Sequence, residues 1–365
     1  MPQRPQALHL RGVILPDGAE RDIFVSSGRL TFQPVADART VLDGGFILPG
    51  LVDMHAHLAI ASPAGDDASA EERVRASAGR QLAAGVLALR EPGSPDRASR
   101  ELGPQAGLPR VFTAGRFLAP PGRYFPGIAR EVTEEQLPAA AADEARASGA
   151  WVKVIGDFPD PAEGRMHLNF PAQALTEAAR RAHAAGARIA IHATSEAAIT
   201  GAVEAGFDSI EHGQGIREDH LKAMAERGIA FVPTLTILPQ LPDVMPSLGL
   251  GGTELALMLS AVERHPQMAA RAAEAGVLVL AGTDAGMGPH GMVAGEIELL
   301  ARAGLPLETA LAGGSWAARR YLGLPGIEEG APADLVAYAD DPRDRLSTLS
   351  RPLLRILDGL LLNGR

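Results

Sequence analysis

Eight short apolar runs, most of them followed by a helix-patterned stretch, constrain this chain more than any other feature. The runs are FILPGLVDMHAH, GVLALRE, RVFTAG, WVKVIGD, RIAIHAT, DSIEHG, AFVPTLT and VLVLAGTD. Between them lie segments rich in Ala, Glu and Arg with helical spacing, among them Ala70–Ala84, Ala172–Ala185, Glu196–Ala205 and Glu218–Arg227. Strands covered on both faces read as continuous apolar runs, and strands that alternate with helices build a parallel sheet. The pattern predicts an α/β fold, a (β/α)₈ TIM barrel over residues 49–321. That span has the size usual for the fold, roughly 250 residues.

The chain ends have another texture. Residues 1–48 carry the strand-like pieces LHLRGVIL, RDIFVSSGRL and TVLDGGFIL, and residues 322–365 carry ADLVAYA and LLRILDGLLLNG. Neither end can bury a core alone. They are expected to pair into one composite subdomain, a small β-sandwich.

Composition removes several classes of function. A net charge of -10 without a basic run argues against nucleic acid or a membrane surface as partner and leaves a small-molecule substrate. The absence of cysteine rules out disulfides, thiolate nucleophiles and Cys-type zinc sites, so a metal must be held by His, Asp, Glu or something less usual. The start MPQRPQALHL lacks the apolar stretch of a signal peptide, and no apolar run reaches about 18 residues, so a cytoplasmic location is expected. A homo-oligomeric state is left open.

The chemistry-bearing residues sit at the ends of the apolar runs. His55-Ala56-His57 closes the first. Residues i and i+2 of a strand share a face, so both imidazoles can reach one metal. His192 ends RIAIHAT, His212 ends SIEHG and Asp284 ends VLVLAGTD. TIM-barrel active sites are built at the C-terminal ends of the strands. Any one of these histidines alone reads as a satisfied core or capping residue. Together on the first, fifth, sixth and eighth strands they point to a metal centre.

Of 34 Lys plus Arg, only Lys153 and Lys222 are lysine. Lys222 belongs to the amphipathic segment EDHLKAMAERG and reads as a solvated face. Lys153 stands between Val152 and Val154, and in a barrel strand it would point inward, where an unpaired ammonium is costly. Burial lowers a lysine pKa and exposes a nucleophilic amine. Such an amine can take up carbon dioxide as a carbamate, an anionic group whose two oxygens can bridge two cations. The plainer alternative is a salt bridge to a neighbouring aspartate such as Asp157.

At this point the chain resembles the amidohydrolase superfamily, in its imidazolonepropionase-like and Xaa-Pro-dipeptidase-like branch. The motifs that carry the resemblance are LPGLVDMHAHL, WVKV, IAIHATSEAAITGAVEAGFDSIEHG, FVPTLT, LAGTDAGMGPHG and GAPADLVAY. The resemblance implies two divalent metal ions, with zinc expected. It places His55 and His57 on the more buried metal, Lys153 as the carboxylated bridge, and His192 and His212 on the second metal. Asp284 becomes a ligand and the catalytic group that handles protons. The implied reaction is metal-dependent hydrolysis of an amide (C–N) bond by a metal-bridging hydroxide. The substrate would be a dipeptide, an N-acyl amino acid or a cyclic amide.

Two departures leave the substrate open. Arg90-Glu91 stands where the branch often has Arg-Asp, and GRFLAPPGRYFPG lacks the Gly-His-Gly-Asp segment of many dipeptidase-like members. A mononuclear deaminase or imidazolonepropionase-like enzyme, a lactone or ester hydrolase, and a barrel without activity are the alternatives. The deaminases usually place a Glu three residues after the fifth-strand His. Here that residue is Ser195, which is expected to cap the next helix. For substrate contacts, the sequence offers His290 in the glycine-rich loop AGMGPHGMVAGE. Arg116, Arg123 and Tyr124 follow the third run and could hold a substrate carboxylate.

Overall fold

Strands from both chain ends meet in one seven-stranded mixed sheet in the computed structural model, which describes residues 6–65, 67–102 and 107–362. Arg39–Pro49 makes the join. It runs parallel to Leu8–Ile14, and its last residues, Phe46 to Pro49, pair antiparallel with Leu335–Tyr338. Because this strand pairs on both edges, the expected sandwich takes the form of one continuous sheet. Burial alternates along Leu8–Ile14, and Leu10, Ile23, Ile47, Leu335 and Ile356 pack into a core of their own. Gly45 lies at the pairing with Leu335–Tyr338 with φ +82°, where a Cβ would fall 2.5 Å from the Tyr338 carbonyl oxygen.

The chain then enters the parallel region. Leu51–Asp53, Val86–Glu91 and Arg110–Thr113 form one ladder. Ala230–Val232, Ser209–His212, Arg188–Ala193, Trp151–Ile155, Phe117–Ala119 and Ala129–Glu131 form a second, in that order. The third apolar run pairs in the first ladder as Arg110–Thr113, and past Gly115, whose φ is +70°, Phe117–Ala119 joins the second. The eighth run, residues 277–284, is not a regular strand. Its backbone bonds alternate between neighbours. Leu280 N donates to Phe231 O and Phe231 N to Leu278 O on one side, while Met54 N donates to Ala281 O and Asp284 N to His55 O on the other. The chain is pinched at Gly282, where a Cβ would come within 2.4 Å of Val232 Cγ1.

The helices form where the sequence patterns them, as Ala70–Ala83, Ala172–Ala184, Glu196–Ala205 and Glu218–Arg227. Ser69 and Glu72 make a reciprocal capping box on the first, and Ser195 Oγ accepts from Ala198 N at the start of the third. Ala174, Leu175, Ala178, Ala179 and Ala182 make a buried stripe at helical spacing on Ala172–Ala184. Val152, Val154, Ile189 and Ile191 belong to the core shared with these helices. Side chains alternate along a strand, so Lys153 is directed to the opposite, inner side. Among the described residues no helix is long and apolar enough to cross a membrane.

Two further pieces roof the strand ends. One is the hairpin Asp157–Asp160 with Arg165–Leu168. The other runs from the 3-10 turn Leu235–Gln240 through the helices Leu241–Ser247 and Gly252–Glu274.

Candidate metal centre

The first strand and the eighth run are tied together immediately below the site. Asp53 accepts from His55 N at 3.1 Å, Thr283 N at 3.0 Å and Thr283 Oγ1 at 2.6 Å. Asp284 N donates to His55 O and His57 N to Ala285 O, both at 2.7 Å. With the backbones fixed in this way, His55 Nε2 and His57 Nε2 stand 3.2 Å apart, and each lies 3.3 Å from Asp284 Oδ1.

The far nitrogens of these rings explain why the near ones converge. His57 donates its Nδ1 hydrogen to Gly93 O at 2.8 Å, an atom that can only accept. His55 Nδ1 faces Glu211 Oε2 at 2.7 Å. Burial pushes the Glu211 carboxyl up, but the Arg90 guanidinium, the hydrogen bond with His55 and the Lys153 ammonium outweigh it and hold Glu211 well below the usual range. An ionised Glu211 therefore takes the Nδ1 hydrogen of His55. With Nδ1 of each ring engaged in this way, both Nε2 atoms are turned to the Asp284 oxygen. Burial raises the Asp284 carboxyl too, and the surrounding imidazoles, His55 first, more than reverse this. Burial lowers His57. Two nitrogens and a carboxylate oxygen that all accept are satisfied by a cation. A tetrahedral zinc with bonds of about 2.0–2.1 Å separates its ligands by about 3.3–3.4 Å, so the spacing fits.

His192 and His212 stand beside this triad. Their ring centroids are 4.6 Å apart, and His212 is 5.0 Å from His55. His212 Nδ1 meets Thr234 Oγ1 at 3.0 Å. Burial, then Lys153, brings His192 down to about 3, and burial takes His212 well below its ordinary value, so both rings are in the neutral form that binds metals. Regular strand geometry would put Glu211 and His212 on opposite faces. His212 adopts φ +67°, which turns its ring to the side where Glu211 meets His55. Asp284 and Thr234 are also left-handed, with φ +53° and +50°. Non-glycine residues pay for this conformation, and it clusters at functional sites.

Lys153 is 1% exposed and its Nζ has no hydrogen-bond partner. The salt bridge to Asp157 is not made. Asp157 instead accepts from Thr194 N, Thr194 Oγ1 and Ser195 N, and lies 3.7 Å from His192 Nε2. Burial brings the Lys153 ammonium down to about 8. A buried amine left without a partner beside neutral imidazoles and Asp284 suits conversion to an anionic ligand. The donor set of imidazoles and carboxylates suits zinc or a similar divalent ion.

His55, His57, Lys153, His192, His212 and Asp284 all line one cavity of about 380 Å³, together with Tyr124 and Gln214. The other predicted substrate contacts are not brought there. Arg123 is ion-paired with Asp160 at 2.6 Å, and Arg116 donates to Ala129 O at 3.3 Å. Neither arginine lines the cavity, so the expected carboxylate clamp is not formed. The reason is the unforeseen hairpin, which brings Asp160 to Arg123. His290 is buried near His57 and Ile60, outside the lining. The sequence reading missed Glu211 and the orienting role of Arg90. An acidic residue next to a strand-end histidine was the available signal.

Residues 46–356 match the amidohydrolase family. The chain belongs to the amidohydrolase family. This amidohydrolase is 43% identical over 359 residues to an uncharacterized protein of Mycobacterium tuberculosis, covering 98% of this chain and 96% of the other. Its fold matches that of a Xaa-Pro dipeptidase with methionine bound in the active site. The TM-score is 0.82 at 22% identity, over 98% of this chain and 100% of that one. It matches Aspergillus niger ochratoxinase with a TM-score of 0.81 at 19% identity, over 98% and 96% of the two chains. The amidohydrolase is thus a hydrolase on a TIM-barrel type of fold.

Proposed function

We propose that this amidohydrolase cleaves the amide bond of a small substrate using two divalent metal ions, with zinc the expected metal. The observation that carries the proposal is the convergence of His55 Nε2, His57 Nε2 and Asp284 Oδ1 beside the buried, unpartnered Lys153 Nζ. His55, His57 and Asp284 would hold one metal, His192 and His212 the other. Lys153, after its amine adds to carbon dioxide with loss of a proton, would offer an oxygen to each. When bound, the metals supply Lewis-acid polarisation of the carbonyl and a water acidic enough to ionise near neutral pH.

The protein's own groups do the rest. Asp284, held ionised, receives a proton of the attacking water and passes it to the departing nitrogen. The water oxygen bonds to the carbonyl carbon, the C–N bond breaks, and an acid and an amine leave. Glu211 orients His55 through the hydrogen bond at Nδ1. Ser195, a helix cap, stands where a deaminase reading needs a Glu three residues after His192. The two parallel ladders would constitute one (β/α)₈ barrel, with residues 277–284 as the eighth stave. This is supported by the backbone bonds of that segment to both neighbours.

The test is metal analysis of protein purified without chelator, combined with a screen of N-acyl amino acids, Xaa-Pro dipeptides, cyclic amides, aryl amides and lactones. About two metals per chain are expected, with amide hydrolysis lost on chelation and regained with zinc. Full activity in metal-free protein would overturn the proposal.

A further inference from the structure

We infer that the part of the substrate lying beyond the scissile bond is uncharged, bulky and aromatic or branched-aliphatic. This rests on the amide-hydrolase reading only for the bond that is cut. One wall of the cavity is aromatic. Tyr124 lies 5.4 Å from Phe117 and 5.3 Å from Phe158, and Phe125 lies 5.3 Å from Phe158, centroid to centroid. Further lining comes from Leu241, Val244 and Met245 of one roof helix and Met258 of the other. Methionine and leucine adapt to irregular apolar groups, and aromatic faces stack on aromatic ones.

Charge is distributed just as unevenly. Among the described residues, Lys153 and Asp284 are the only Lys, Arg, Asp or Glu side chains lining the cavity, and both belong to the metal cluster. Away from that cluster, the polar lining is the neutral set Thr194, Gln214 and the Tyr124 hydroxyl. A substrate carboxylate resting against these walls would give up its hydration without gaining a cation, which is costly. Arg123 does not compensate, because Asp160 holds it 2.6 Å away on the hairpin. The cavity of about 380 Å³ lies within the range typical of small-molecule pockets.

Two amides that differ at one remote group test this on the metal-loaded wild-type enzyme: para-tolyl hexanamide and para-carboxyphenyl hexanamide. The tolyl compound is expected to have a kcat/KM greater by about 100-fold or more, the scale of burying an unpaired charge. A thermal-shift titration reads the walls without turnover, with the tolyl amide raising the melting temperature and the carboxyphenyl amide not. Val244 is half-buried on the roof helix, and Val244→Arg should move the turnover ratio toward the carboxylate by at least about tenfold. If neither amide were cleaved but the melting shifts appeared as stated, the amide-hydrolase reading would fail and the inference about the walls would stand. Equal or greater turnover or melting shift with the carboxylate overturns the inference. So does the lack of any shift with the tolyl amide at millimolar concentration.

Discussion

Glu211 Oε2 accepts the Nδ1 hydrogen of His55 at 2.7 Å, and the same carboxylate is bound by Arg90 Nη2 and Ser209 Oγ. The pair fixes the His55 tautomer and aims its Nε2 at Asp284. Carboxylates behind metal-binding imidazoles raise ligand basicity, and their loss costs about 10–100-fold in metal affinity. Glu211→Gln is therefore expected to raise the Kd for zinc by about that factor, read by titration against a competing chelator. The variant also leaves the fully buried Arg90 without its anion, so its melting temperature should fall.

Asp284→Asn should leave the fold intact, because the backbone bonds of residue 284 to His55 and Met287 do not involve the side chain. Turnover should drop by about 10²–10⁴, the usual contribution of a general acid–base group. Steady-state kinetics on metal-replete variant checks this. Unchanged kcat would remove Asp284 from proton transfer.

Lys153→Ala and Lys153→Arg should both bind about one metal per chain in place of two and lose most activity, because neither supplies a bridging anion between repelling cations. A short carboxylic acid in solution should partly restore metal content and turnover in the alanine variant. Metal-free wild type should regain activity faster when metal is added with bicarbonate. Full activity in Lys153→Arg would refute the carbamate.

Glu91 accepts the Leu58 amide hydrogen at 2.9 Å, and burial pushes its carboxyl from 4.5 up to about 7. The unfolded chain ionises this group first. Its stabilising contribution is complete below about pH 4.5 and is lost as pH rises through about 7, at about 1.4 kcal/mol per unit. The stability of wild type relative to Glu91→Gln should fall by about 3 kcal/mol across that window. Urea unfolding of metal-free protein from about pH 4.5 to 8 measures it. A difference independent of pH would show that Glu91 titrates normally.

Much of the site was legible because its residues stand at the ends of apolar runs or, for Lys153, inside one. His55, His57, Lys153, His192, His212 and Asp284 stand at or within such runs, and the structure brings all six to one cavity. The substrate contacts were not legible in the same way. Arg116 and Arg123 follow the third run, yet their partners, Ala129 O and Asp160, come from later segments whose folding has no strong periodic signal. The roof from Leu235 to Glu274 likewise carries Pro239, Pro246 and Pro266 inside its helices, which blurs the pattern.

The sequence alone determined the alternation of strand and helix, because apolar periodicity is a local property set by which faces a segment can bury. It also determined that Lys153 lies inside a strand, since Val152 and Val154 claim the opposite face. Only the tertiary structure decided which carboxylates serve which imidazoles, and whether a wall is charged or apolar. Glu211 reaches His55 across 156 positions of sequence, and Asp160 neutralises Arg123 from a separate hairpin. Such pairings depend on distances between segments, and spacing along the chain does not encode them.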